Sequence, residues 1–356
     1  MHTPSPARQG DCTSMSAQYS VAPPAVVQEL EAIFSVLPDA ELLNALRGPK
    51  RRGRPGHDPK VLWRCHVTRY VLGIESVSAL LRLLQDNPYI AQVCGIESPK
   101  AMPSQPTLSR FGTKMARVPF ANMVRNVQRE LTKRMYDTLP DFGRTVAIDS
   151  TDLRGWSNPG KKGKKRSKVR RHPVKPGRVS DGDAGWSVKT NTRGNKGYTW
   201  GFKAHIICDA HYELPIVVDT TAGNFHDVRK AGGMLMQARR VTGKFMPDYF
   251  LADAGYSSKA LRHMVRRQFK AAPVIDPNPS HPKAVREWRE EWNEIKKART
   301  SVERINGRLK GFFALDHLRV RGNTKVKLHA HLSVMALLAR ALAFPEHLRQ
   351  CVRSVA

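Results

Sequence analysis

The feature that most constrains this chain is a short apolar run that ends in a carboxylate, and this feature occurs twice. Val146, Ala147 and Ile148 precede Asp149, and the run predicts a short buried strand with the aspartate at its end. The following Ser150 and Thr151 suit a turn. About a hundred residues later, a second apolar run ends at Asp253 and is followed by a glycine turn. We therefore predict two strands that each present an aspartate at one edge of a sheet.

A third carboxylate lies in a segment with helical character, residues 299–310. Arg299, Glu303 and Lys310 share one helix face, while apolar residues on an adjacent face can pack on a sheet. Two strand-end aspartates and one helical glutamate form the kind of oxygen-rich set that a pair of Mg²⁺ ions needs. Each carboxylate taken singly is more often a cap or turn residue, and the helix pattern is also typical of an ordinary salt-bridged surface helix.

The charge balance indicates a polyanionic partner. Sixty Lys and Arg residues against thirty Asp and Glu residues give a formal net charge of +30, which favours nucleic acid. Ribosomal proteins and cationic toxins share this balance but are usually shorter. Five scattered cysteines without CxxC spacing argue against a zinc site or a disulfide framework and fit a reducing cytoplasm. The N-terminus lacks a signal peptide, and the apolar stretch 332–344 is short for a membrane span and contains Arg340, so we predict no membrane association.

The order of predicted elements gives the domain organisation. Residues 1–24 form a disordered tail, and residues 25–137 form a helical N-terminal domain with a weak helix-turn-helix-like corner near residue 104. Residues 138–345 alternate strands and helices and predict an α/β fold. Its mixed sheet contains an antiparallel hairpin and then βα units. A basic insertion occupies residues 154–197, and residues 346–356 form a tail.

Two basic segments are candidates for contact with DNA. Residues 48–56 contain Arg51 and Arg52 among four cations in five positions, and residues 161–178 contain ten Lys or Arg residues and no acid. The cations nominated for phosphate contact in the second segment are Lys161, Lys162, Lys164, Lys165 and Arg166. The competing interpretations are a solvated linker for the first segment and a disordered solubilising insertion for the second.

The combination of these segments resembles the DDE transposases of bacterial insertion sequences. The branch in question has a glutamate region of the form Y-x2-R-x3-E-x6-K, and this chain has Arg299, Glu303 and Lys310 at that spacing, with Lys296 in the tyrosine position. The segments 148–151 and 252–256 resemble the first and second catalytic-aspartate segments of the family, and residues 223–227 resemble another recurrent segment. The resemblance covers roughly residues 141–342.

The resemblance implies a ribonuclease H-like catalytic core in which Asp149, Asp253 and Glu303 are the catalytic metal ligands. Two Mg²⁺ ions, which Mn²⁺ can replace, would assist nicking at the element's ends and attack of the freed 3′-hydroxyl on target DNA. Arg299 and Lys310 would hold phosphates. The rim of the site has four further candidates, which are His205, Asp209, His226 and Asp227.

The implied partners are double-stranded DNA, as terminal inverted repeats and target, and a second copy of the chain assembled on DNA. The implied location is the bacterial cytoplasm, in association with the nucleoid. Two alternatives belong to other classes. One is a metal-dependent nuclease without strand transfer, and the other is a DNA-binding protein with an inactive transposase-derived core.

Overall fold

The computed structural model describes residues 25–48, 56–157, 159, 180–190, 194–277 and 290–347. The predicted tail at residues 1–24 lies outside these ranges, as does most of the predicted tail at residues 346–356. Arg51, Arg52 and the whole of residues 161–178 also lie outside them, so the proposed DNA contacts of both basic segments are not described structurally.

The described chain begins with helices that local sequence signals place well. The Asp58 side chain accepts a hydrogen bond from the Lys60 backbone N–H at 2.8 Å, and Ser76 and Ser104 cap two later helices in the same way. Proline in the first turn of several helices costs no hydrogen bond there. The helices before the first strand are α1 (Ala25–Val36), α2 (Ala40–Arg47), α3 (Pro59–Val71), α4 (Val77–Asp86), α5 (Pro88–Val93), α6 (Gln105–Met115) and α7 (Phe120–Thr138).

A six-stranded mixed sheet forms the centre of the second half of the chain. Strand β3 pairs antiparallel with β1, β2 and β4, while β1 pairs parallel with β5 and β5 pairs parallel with β6. The predicted mixed sheet, with its antiparallel hairpin followed by βα units, is confirmed. The strands are β1 (Thr145–Arg154), β2 (Gly185–Thr190), β3 (Lys196–Asp209), β4 (Leu214–Ala222), β5 (Tyr249–Ala252) and β6 (Ala272–Ile275).

The strands extend further than the sequence predicted in two places. Strand β1 does not end at Asp149 but continues to Arg154, because β3 supplies a partner for every residue from Ser150 (opposite His205) to Arg154 (opposite Gly201). No strand was predicted within the basic insertion at residues 154–197, yet these residues contain β2, which pairs with the first half of β3. In both cases a neighbouring strand satisfies the backbone of a polar segment that would not form a strand alone.

Helices flank the sheet and connect it to the N-terminal region. They are α8 (Asp227–Thr242), α9 (Lys259–Gln268), α10 (Trp292–Lys297), α11 (Thr300–Phe312) and α12 (Asn323–Ala343). Helix α12 packs against α1, α3 and α7 on one side and against β4 on the other. By length and composition alone, α12 could cross a membrane. It is longer than the apolar stretch at residues 332–344 that the sequence suggested. Because 78% of its apolar window is buried within the fold, it is a core helix here.

Buried polar contacts join α12 to the N-terminal helices. The Tyr70 hydroxyl lies 2.8 Å from Nδ1 of His329, and His331 contacts the Gln128 side chain. Burial lowers the pKa of both histidines to about 3, so both are neutral at physiological pH. The helical region and the sheet therefore share one continuous core.

Candidate active site

The sheet places Asp149 and Asp253 at the same level on adjoining strands. In the parallel β1–β5 pair, Ala147 lies opposite Leu251, and each aspartate follows two residues later. Strand β5 ends at Ala252, so Asp253 begins a turn, where its Oδ1 accepts a hydrogen bond from the Gly255 N–H at 2.9 Å. The prediction that both aspartates lie at one edge of a sheet agrees with this register.

The ionisation of Asp149 reflects its position between buried strands. Burial is the largest cause that raises the pKa of its carboxyl, and the negative charge of Asp253 adds to the effect, giving a pKa of about 6. The Ser150 backbone N–H and the charges of Lys189 and Arg299 act in the opposite direction. A nearby cation stabilises a pair of carboxylates that repel one another.

The third predicted carboxylate does not join the two aspartates in this structure. The side chain of Glu303 is 53% exposed, and its Oε1 lies 3.1 Å from Nη1 of Arg299. Within the described ranges, no three His, Cys, Asp or Glu side chains lie close enough together to hold a metal ion. The structure thus brings together two of the three predicted ligands and leaves Glu303 in a salt bridge at the start of α11.

The two predicted phosphate-binding cations on α11 differ in their surroundings. Arg299 lies just before the helix, pairs with Glu303, and is close enough to Asp149 to influence its pKa. Lys310 lies in the last turn, and its Nζ donates a hydrogen bond to the Asp152 carbonyl oxygen at 2.7 Å. Lys310 therefore ties α11 to the second half of β1.

Strand β2 adds basic and hydroxyl groups that sequence reasoning missed. The Ser187 hydroxyl donates a hydrogen bond to Asp152 Oδ1 at 2.7 Å, and Lys189 Nζ lies 3.1 Å from Asp152 Oδ2. Lys189 also lowers the pKa of Asp149. No local signal reveals these contacts, because they depend on the pairing of β2 with β3.

Asn306 on α11 is a second residue that sequence reasoning missed. Its Nδ2 lies 3.4 Å from Asp149 Oδ2, and the side chain is buried. It follows Glu303 by three residues and therefore shares a helix face with it, a spacing that could have identified it.

The four predicted rim residues are mostly engaged in structural contacts. His205 is fully buried, its Nε2 lies 2.8 Å from the Thr221 hydroxyl, and burial lowers its pKa to about 4. Asp227 forms an ion pair with Lys203 at 2.9 Å. Asp209 accepts hydrogen bonds from three backbone N–H groups in turns, and His226 immediately precedes α8.

The fold and this pair of aspartates are typical of an enzyme that carries out metal-assisted chemistry on phosphodiesters. Residues 140–339 match the family model described as "Transposase DDE domain", and residues 23–114 match a model described as "Transposase domain". Because the first match covers more than half of the chain, the protein belongs to the DDE transposase family. This confirms the predicted family and an enzyme that acts on DNA. Divalent metal ions are the cofactors of this family.

Solved structures of a transposase are also similar to this chain. The "Mos1 transposase paired-end complex with left transposon end" is 11% identical, covers 78% of this chain and 86% of its own, and has a TM-score of 0.20. The "Crystal structure of the Mos1 mariner paired end complex with Mn" is 13% identical, with coverages of 79% and 87% and a TM-score of 0.21. The "Crystal structure of the Mos1 Strand Transfer Complex" is 14% identical, with coverages of 77% and 82% and a TM-score of 0.22. No curated protein sequence matches the chain.

Proposed function

We propose that this transposase binds the terminal inverted repeats of an insertion sequence and catalyses metal-dependent strand cleavage followed by strand transfer. The observation that carries the proposal is the Asp149–Asp253 pair on adjoining strands of a DDE-family fold. We further propose that the protein works in the bacterial cytoplasm on nucleoid DNA, and that two copies assemble on the paired ends. Its high positive charge supports association with DNA.

In this proposal Asp149, Asp253 and Glu303 are the ligands of two Mg²⁺ ions, which Mn²⁺ can replace. Asp149 and Asp253 fit such ions, since carboxylates are preferred ligands of hard cations and the charge of Asp253 adds to burial in raising the pKa of the Asp149 carboxyl. When bound, the metals neutralise charge that develops on the attacking and leaving oxygens. Arg299 and Lys310 would hold phosphates on either side of the cut, which requires Arg299 to exchange Glu303 for DNA.

The proposed reaction consists of two in-line phosphoryl transfers. In the first, a water oxygen attacks phosphorus, its proton is lost to solvent, and the 3′-oxygen leaves and is protonated to a hydroxyl. In the second, that 3′-hydroxyl attacks a target phosphodiester, losing its proton, and the target's own 3′-oxygen leaves. The bonds formed and broken are equivalent in type, so positioning and charge neutralisation supply the catalysis.

One observation favours the alternative of a DNA-binding protein with an inactive core. Glu303 is exposed and paired with Arg299 instead of lying with the two aspartates. A metal-dependent nuclease without strand transfer would share the whole site, and only its products would differ.

The test uses a plasmid that carries the DNA flanking this gene, incubated with the purified chain and Mg²⁺ or Mn²⁺. We expect cuts at fixed ends and joined donor–target DNA, and we expect Asp253→Asn to abolish both while DNA binding stays nearly intact. Asp248→Asn is the matched control, because Asp248 lies at the opposite end of β5 and pairs with Arg144 at the surface. Cuts without joined products would identify the nuclease, and specific binding without cuts would identify the inactive core.

A further inference from the structure

Asn306 combines two features that a purely structural role does not explain. Its side chain is only 7% exposed, and its Nδ2 lies 3.4 Å from Asp149 Oδ2, which is a long hydrogen bond. Its Oδ1 is buried without a hydrogen-bond partner in the described structure. A buried polar atom without a partner is unfavourable, and an apolar side chain would fit α11 at lower cost.

The chemistry of the Asn306 side-chain amide suggests a role for its oxygen. An asparagine side chain exposes two donors on one side and an acceptor on the other, and a half-turn about its last bond exchanges them. With the amino group toward Asp149, the contact is a hydrogen bond to the carboxylate. With the oxygen toward Asp149, two oxygens face each other, and this arrangement is favourable only when a cation lies between them.

The spacing of the two side chains suits a shared cation. Ligand oxygens around Mg²⁺ lie 2.0–2.1 Å from the metal in near-octahedral geometry, so neighbouring ligands are about 3 Å apart. The Asn306 and Asp149 atoms are separated by 3.4 Å, which is within a small adjustment of that value. Glu303 lies one turn earlier on α11, and its carboxylate pairs with Arg299.

We propose that Asn306 is a neutral oxygen ligand of the metal bound by Asp149 and Asp253, in addition to the three carboxylates of the proposed function. The inference rests on that function, because it requires a metal at the aspartate pair. A neutral ligand supplies an oxygen to the cation without adding a further negative charge to a site where Asp149 and Asp253 already repel one another.

The test measures the affinity of the full-length chain for Mn²⁺ by electron paramagnetic resonance, without DNA. We expect Asn306→Ala to weaken Mn²⁺ binding by about 10- to 100-fold, in the range found when metal-site groups are removed. Asn306→Asp retains an oxygen ligand and is expected to bind Mn²⁺ at least as well as the unaltered chain. Asn323→Ala is the matched control, since the Asn323 Oδ1 accepts a hydrogen bond from Thr220 outside the site.

The outcomes separate this inference from the proposed function. Unaltered Mn²⁺ affinity in Asn306→Ala overturns the ligand role, as does an equal loss in Asn306→Ala and Asn306→Asp. If Asp149→Asn also binds Mn²⁺ as well as the unaltered chain, the metal centre itself is absent and the proposed function fails. Thermal melting in EDTA identifies any variant that does not fold, and Asn306→Ser then replaces Asn306→Ala.

Discussion

The substitution Asp149→Asn is expected to stabilise the metal-free protein while abolishing its activity. Burial, and secondarily the charge of Asp253, raise the pKa of Asp149 from 3.8 to about 6. The unfolded chain has no such environment, so ionising this carboxyl is harder in the folded protein than in the unfolded one. Asparagine keeps the shape of the side chain and removes the charge.

The magnitude follows from the linkage between protonation and folding. Each pKa unit corresponds to about 1.4 kcal/mol, so the ionised carboxylate destabilises the folded state by about 3 kcal/mol at neutral pH. Because the folded pKa lies above the unfolded one, this destabilisation is full above pH 6. It shrinks as the pH falls through 6 and is absent well below 3.8. Asp149→Asn should therefore raise the free energy of unfolding by up to about 3 kcal/mol at pH 7.5, and by less than about 1 kcal/mol at pH 4.

Urea denaturation in EDTA at these two pH values measures the effect. Asp137→Asn is the control, because Asp137 is 59% exposed and its surface ion pair with Lys244 predicts a change within about 0.5 kcal/mol. A variant that is no more stable than the unaltered chain at pH 7.5 would refute the reasoning. So would a stabilisation of equal size at pH 4, because it would not come from the charge.

Three further predictions concern other parts of the chain. Glu213 is a buried carboxylate that pairs with two arginines of α11, and Glu213→Gln removes its charge. This substitution should lower the free energy of unfolding, measured by urea denaturation, by about 3–5 kcal/mol. Glu294→Gln, in an exposed ion pair, should lower it by less than about 1 kcal/mol. Equal costs would contradict the buried role. Gly201→Ala should lower the free energy of unfolding by at least about 2 kcal/mol, because φ of Gly201 is +152° and a Cβ would lie 2.1 Å from the Leu153 carbonyl oxygen. An unchanged melting temperature would show that β1 and β3 can move apart to accommodate the Cβ. Deleting residues 161–178 should weaken binding to all DNA sequences and flatten its salt dependence, and an unchanged salt slope would exclude phosphate contact by this segment.

Local sequence signals determined most elements of this fold. The apolar runs before Asp149 and Asp253 predicted β1 and β5. Asp58 and Ser104 are residue types that favour helix starts, and the structure shows both as side-chain caps. These predictions succeeded because strand periodicity and caps depend on residues within a few positions of one another.

Tertiary pairing decided the length of β1 and the existence of β2. Asp149 and Asp152 belong to a residue type that is depleted in strands, and β3 supplies the hydrogen bonds that extend β1 to Arg154. Strand β2 likewise exists through its pairing with β3. The same pairing brings Lys189 close enough to Asp149 to lower the pKa of that carboxyl.

The candidate site shows the same division between local and distant information. The sequence predicted Asp149, Asp253 and Glu303 as the acids of a family motif, with both aspartates at one edge of a sheet. Only the folded chain brings Asn306 to Asp149 across 157 positions and leaves Glu303 paired with Arg299. A motif specifies which residue types are present, whereas the packing of α11 on the sheet decides which of their atoms meet.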